Sequence, residues 1–152
     1  MKKKINRRSF IKKASLPIIG AASIAPFNVN ANTVKELSMV TSWPKNLPGI
    51  GLGANRLAQR IEKLSKNQIK IKVYSAGELA PPFGVFDAVS SGTADLYHSA
   101  EFYWGGKSRA YPFFASVPFG MTAEEFNSWI YQSDGQELWD KLGSNFNLKH
   151  FL

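Results

Sequence analysis

Apolar and polar residues alternate strictly along "QIKIKVYS": Ile69, Ile71 and Val73 stand against Lys70, Lys72 and Tyr74, the two-residue period of a strand with one face in water. The period changes just before it. From Gly53 to Ser65, Ala54, Leu57, Ala58, Ile61 and Leu64 recur at helical spacing while Arg56, Gln59, Arg60, Glu62 and Lys63 fall outside the stripe, which predicts an amphipathic helix. Upstream, "VKELSMVT" (Val34 to Thr41) reads as a buried strand and "SWPKNLPGIG" as a loop, since two prolines and two glycines continue neither regular structure. Downstream, Phe83 to Ser91 reads as a second helix stopped by Gly92, and "ADLYH" as a third strand. Strand and helix alternate, so the expected fold is α/β, a right-handed βαβαβ unit on a parallel sheet.

Beyond the third strand the pattern breaks down. "EFYWGGKSRAYPFFASVPFGM" sets seven aromatic rings among glycines and prolines that argue against a regular element; such rings cover the end of a sheet or line a cleft. "TAEEF" restores order, because Thr122 and Glu125 have the spacing of a reciprocal capping box, with Phe126, Trp129 and Ile130 as the expected buried face. A further helix is expected over Gly135 to Leu142. "NFNLKHFL" then alternates like another strand, so the sequence stops inside it, with the edge of an unfinished sheet.

The first thirty-one residues differ from all of this. Seven basic side chains and no acid (Lys2, Lys3, Lys4, Arg7, Arg8, Lys12, Lys13) precede "ASLPIIGAASIAPF", which is uncharged and broken by Pro17 and Pro26. A basic start, a short apolar run and a small residue at the cut, Ala31 before Asn32, is the order of a secretory leader. The apolar run is too short for a bilayer span, and no readers accompany the basic block as a nucleic-acid arm would need. "NRRSFIK" further resembles the twin-arginine export signal, through Arg7, Arg8, Phe10 and Lys12; an ordinary secretory leader that holds two arginines is the alternative. Without residues 1–31 the formal charge falls from +8 to +1, so the basic balance belongs to the leader and no basic-surface function follows from it. The absence of cysteine excludes a disulfide framework and thiol-ligated metal. Residues 32–152 suffice for one modest domain.

Two constellations compete for chemistry. "GIGLGA" places Gly49, Gly51 and Ala54 in the dinucleotide pattern before a helix, which would make the chain an oxidoreductase subunit. Against this, seven residues separate the glycines from the strand, and Tyr74-Ser75-Ala76 stands where a ribose-binding acid belongs. The second constellation comes from topology, because ligands of an open parallel sheet sit beyond the carboxyl ends of the strands. Those ends carry Trp43, Glu78, His98 and Ser99, with Tyr103 and Trp104 next, and apolar walls with a few donors suit a small polar organic molecule. Trp43 and Trp104 read equally as core, and His98 as a satisfied structural histidine. Neither histidine is spaced for a metal site and no serine stands in a nucleophile elbow, so no enzyme, cofactor or metal is expected.

"SWPKNLPG", "VYSAGELAPPFGVFDAVSSGTADLYHSAEFYWGGK" and "FFASVPFGMTAEE" resemble the amino-terminal part of the DctP-type solute-binding proteins of TRAP transporters, in the branch that takes 2-oxo acids and related monocarboxylates. The resemblance runs from about Leu37 to Leu152. It implies one lobe of a periplasmic-binding-protein-like fold, incomplete at its carboxyl end and without its second lobe. The implied function is a periplasmic receptor that closes on an organic carboxylate and delivers it to a membrane permease. The arginine that clamps the carboxylate in this family lies after the point where this sequence ends, and Arg56, Arg60 and Arg109 stand at positions that do not replace it.

Overall fold

A computed structural model describes residues 34–152; the leader, with Arg7, Arg8, Phe10 and Lys12, lies outside the described residues. The first strand, β1 (Lys35–Thr41), sits between β2 (Ile69–Tyr74) and β3 (Leu96–His98), and both pairings are parallel. The expected α/β unit is therefore present. Register decides which side chains meet at the strand ends: Val40 faces Tyr74 across one ladder and Tyr97 across the other, and Thr41 faces His98. All three strands end on one side, and the loops leaving them form a common rim.

Helix α1 (Ile50–Leu64) begins three residues before the expected Gly53. Gly49, at φ 78°, turns the chain into it, and Gly51 lies in its first turn because a Cβ there would come within 2.9 Å of Leu47 Cβ and 3.3 Å of the Pro44 carbonyl. The helix rests on β2, with Ala54 and Ala58 buried and Gly51 buried against the preceding loop, while Leu57 and Leu64 of the expected stripe are exposed. Small side chains let the helix lie close to the sheet, and the larger ones are left at the edge of the contact.

Helix α2 (Val85–Ser90) is shorter than the expected 83–91, since Pro81 and Pro82 hold the chain out of the helix until Gly84 and leave Phe83 exposed. The aromatic stretch is more regular than its glycines suggest. It forms two 3-10 helices, Glu101–Gly106 and Tyr111–Phe114, short enough for Gly and Pro to be tolerated. Around them Val40, Val85, Phe86, Ala94, Trp104, Tyr111 and Leu148 make the main core, with Phe86 meeting Trp104 and Tyr111 at 5.2 and 5.5 Å.

Helix α3 (Ala123–Gln132) carries the expected capping box: Thr122 Oγ1 accepts from Glu125 N at 3.4 Å and Glu125 Oε2 accepts from Thr122 N at 2.8 Å. Ile130 is fully buried, whereas Phe126 and Trp129 are half-buried, packed at the edge of the contact. With α4 (Gly135–Ser144) it holds a second, smaller core of Phe114, Ile130 and Trp139. The strand expected from "NFNLKHFL" does not form. Asn147 adopts φ 57°, and residues 148–152 run without a ladder partner. The alternation is real: Leu148 and His150 turn inward and Lys149 and Phe151 outward. It serves packing against α4 and the first 3-10 helix, with Ser90 Oγ and Gln136 Nε2 donating to the carbonyls of Phe146 and His150 at 2.6 and 2.9 Å.

Candidate functional site

Parallel register brings the ends of β1 and β3 together. Ser42 N donates to the His98 carbonyl at 3.3 Å, and one residue later the Trp43 indole donates from Nε1 to His98 Nδ1 at 2.7 Å. Because Nδ1 accepts, the imidazole proton sits on Nε2. Burial pushes the His98 pKa below its ordinary value, which keeps this neutral tautomer at neutral pH. Trp43 is only 8% exposed, so its ring offers an apolar face while its donor is spent on His98.

A second pair sits alongside. Ser42 Oγ lies 2.6 Å from the Pro82 carbonyl, which accepts its only proton, so Ser99 Oγ donates in the 2.7 Å contact between the two hydroxyls. Ser99 is then left with lone pairs and no proton to offer. Tyr103 is 38% exposed and its hydroxyl has no hydrogen-bond partner among the described residues. Its ring lies 6.3 Å from Trp43 and makes an edge-to-face contact with Phe83 at 5.1 Å. Among the described residues, the side-chain donors of the rim left free are thus His98 Nε2–H and the Tyr103 hydroxyl, with Trp43 and Phe83 as walls.

Trp104 is placed differently from its neighbour. Its side chain is 2% exposed and belongs to the core, packed on Phe86 and edge-on to Tyr97 at 6.0 Å. It supports Tyr103 from beneath and does not face the rim. Glu78 caps a tight turn instead of reaching the rim: its carboxylate accepts from Ser75 N at 2.8 Å and pairs loosely with Lys45. Gly49 and Gly51 serve the turn into α1 and its close contact with the preceding loop, which accounts for both without a phosphate, so the dinucleotide alternative is not supported.

Two features escape a reading of the sequence. Phe83 joins the rim because the preceding prolines keep it out of α2. The second is a buried polar cluster below the rim. Glu101, 7% exposed, accepts from the Tyr97 hydroxyl at 3.1 Å, and His150 Nε2 lies 3.2 Å from that same hydroxyl. Burial raises the Glu101 pKa to about 7 and lowers that of His150 to about 4. The cluster joins residues 53 positions apart, so no local pattern announces it. A hollow of about 520 Å³ also lies between the second 3-10 helix, α3 and α4. Phe113, Phe114, Val117, Met121, Phe126 and Trp129 line it, and nothing there would orient a polar ligand, so its size does not make it the site.

A three-stranded parallel sheet whose strand ends carry a fixed imidazole, a free phenol and apolar walls defines a lobe of an α/β ligand-binding protein. Residues 39–151 match the family described as bacterial extracellular solute-binding protein, family 7, DctP, and the chain belongs to that family. It is 35% identical, over 153 residues, to a monocarboxylate 2-oxoacid-binding periplasmic protein of Nostoc sp., an alignment covering 97% of this chain and 42% of that protein. Among solved structures it is similar to a TRAP periplasmic solute binding protein from Pseudoalteromonas atlantica with bound sodium and pyruvate, with a TM-score of 0.71 and 33% identity over 74% of this chain and 34% of that one. A counterpart from Colwellia psychrerythraea, with bound calcium and pyruvate, has a TM-score of 0.71 and 32% identity over the same shares. This chain therefore spans about two fifths of the curated relative and about a third of the solved chains.

Proposed function

We propose that this chain is the amino-terminal part of the receptor of a TRAP-type transporter. The receptor captures a small organic carboxylate, a 2-oxo acid or related monocarboxylate, in the periplasm and passes it to membrane permease subunits. On this reading residues 1–31 are a leader for the twin-arginine export machinery and residues 32–152 belong to the solute-binding domain. It involves no catalysis and no cofactor.

The observation that carries the reading is the Trp43–His98 hydrogen bond. It locks the imidazole as an Nε2–H donor, and both that ring and the Tyr103 phenol lie within 6.3 Å of the indole, centroid to centroid. A 2-oxo acid is a short carbon chain with acceptor oxygens only. Two donors flanked by the faces of Trp43 and Phe83 match that composition, and Ser99, with only lone pairs left, suits a cation or a ligand hydroxyl better than the carboxylate. Trp104 enters as support beneath Tyr103. The pyruvate bound in the Pseudoalteromonas and Colwellia proteins agrees with this chemistry.

The test is a chemical-shift titration of a full-length receptor that contains this chain with sodium pyruvate, beside acetone, which keeps the carbonyl and lacks the carboxylate. The His98 ring and Tyr103 signals are expected to move with pyruvate and stay with acetone. Pyruvate that moves other signals and leaves these two in place would remove the rim as the site.

A further inference from the structure

Below the rim, among the described residues, five buried polar atoms have no hydrogen-bond partner: Glu101 Oε2, Trp104 Nε1, Tyr111 Oη, Trp139 Nε1 and His150 Nδ1. They are not scattered. His150 lies 5.1 Å from the Trp139 ring, 5.7 Å from Tyr111 and 6.4 Å from Tyr97, and its Nε2 is 4.0 Å from Glu101 Oε2. Three of the five, on Trp104, Tyr111 and Trp139, are donors, and the one carboxylate among them is Glu101. The carboxyl group is faced by the Tyr111 and Trp139 donors and bonded only by Tyr97, while the Trp104 indole is directed toward Tyr97.

The place of Glu101 gives this cluster a bearing on the rim. In a 3-10 helix residues three apart eclipse one another, so Glu101 and Trp104 share the buried face while Phe102 and Tyr103 point outward. How far Glu101 and Trp104 sink into the core therefore fixes the rotation of the turn, and with it the direction of Tyr103. We propose that Glu101 is a positioning residue for the ligand site, setting the Tyr103 phenol through the 3-10 turn according to which of the buried donors its carboxyl group engages. This rests on the carboxylate-receptor reading of the rim.

Proton accounting makes the device responsive. While neutral, Glu101 needs little beyond the Tyr97 hydroxyl, and His150 donates from Nε2 to Tyr97. Once ionised, its carboxylate draws on the Tyr111 and Trp139 donors, and the turn that carries it is only six residues long. The groups facing Glu101 are Tyr97 from β3, Tyr111 from the second 3-10 helix, Trp139 from α4 and His150 from the closing segment. Asp140 and Lys149 act on it indirectly, through His150. The Tyr97 bond favours the ionised form, and the Trp139 indole favours it without reaching bonding geometry.

The test tracks the Tyr103 backbone and ring signals of the 152-residue chain from pH 5 to pH 9. A transition near pH 7 is expected at Tyr103. Glu101→Gln, which keeps the shape and cannot ionise, removes it; Tyr97→Phe, which takes away a bond to the charged form, moves it upward. A Tyr103 signal that does not change with pH, or a transition that survives Glu101→Gln, overturns the proposal. Sodium pyruvate titrations of a full-length receptor that contains this chain, at pH 6 and pH 8, separate the two claims. Pyruvate shifts at the rim that differ between these pH values in the wild type and not in Glu101→Gln support the positioning role. The same pH dependence in both chains counts against it. Failure of pyruvate to move any rim signal sinks the receptor reading, and the Tyr103 transition then decides the coupling by itself.

Discussion

Replacing Glu101 by Gln should stabilise the chain, and only on the alkaline side. Burial displaces the Glu101 carboxyl from its ordinary value of 4.5 to about 7. A group held more firmly protonated in the folded state makes its full contribution below pH 4.5 and loses it as pH rises through 7. At 1.36 kcal/mol per pH unit, the displacement amounts to about 3 kcal/mol above pH 7 and less than about 1 kcal/mol at pH 5. His150 works in the opposite sense, because its pKa falls from 6.5 to about 4, so its contribution is complete above pH 6.5 and lost as pH drops through 4. Between pH 4.5 and 6.5 the two slopes cancel, and the pair leaves the wild type nearly indifferent to pH. Glu101→Gln unmasks the histidine. Urea unfolding monitored by tryptophan fluorescence between pH 4 and 8.5 should show the variant more stable than wild type by about 3 kcal/mol at pH 8, with the gain shrinking toward zero at pH 4. A variant that is destabilised by the same amount at pH 5 and pH 8 would refute the reasoning, since the carboxyl would then matter for its bond to Tyr97 and not for its charge.

In a full-length receptor that contains this chain, Tyr103→Phe should weaken pyruvate binding by about 0.5–1.5 kcal/mol and leave the melting temperature unchanged, because its hydroxyl bonds to nothing among the described residues; a lowered melt with intact binding would remove Tyr103 from the site. Gly143→Ala should cost about 1–3 kcal/mol, since its Cβ would lie 2.6 Å from the His150 ring and 2.7 Å from the Leu148 carbonyl, and urea midpoints measure this directly. Phe119→Asn should stabilise by about 1 kcal/mol, because Phe119 stands fully exposed at φ 60° in the turn from Val117 to Gly120, a conformation that asparagine adopts more readily. Arg7→Lys with Arg8→Lys should leave the precursor in the cytoplasm, as cell fractionation would show, and normal export would point to the ordinary secretory route.

Local periodicity carries the fold as far as His98. The alternation of Ile69, Ile71 and Val73 and the Thr122–Glu125 spacing each encode a short-range geometry, and both form as the pattern predicts. Parallel topology then locates the rim without any side-chain information, which is why Trp43 and His98 fall together. Adjacent residues on a 3-10 turn are harder to read. Tyr103 and Trp104 are neighbours in sequence and point to opposite sides, a distinction that depends on which of them the core takes. The alternation at Phe146, Leu148 and His150 imitates a strand because inward and outward turns also alternate in an unpaired extended segment. The contact of His150 with Tyr97 and Glu101 is a product of tertiary packing, and nothing within a few residues of either signals it.

The hydrogen bond from Trp43 to His98 also bears on metals. Imidazole recruits copper, nickel or zinc through an unshared electron pair on one of its nitrogens. Here one nitrogen has given its pair to the indole proton and the other carries a proton of its own. A coordinating metal would have to break the first bond or displace that proton before it could attach. The rim is thereby made unattractive to borderline and soft transition ions, and any cation that accompanies a ligand there has oxygen atoms to work with, from the ligand itself and from the unspent lone pairs of Ser99, which is the donor set of hard ions.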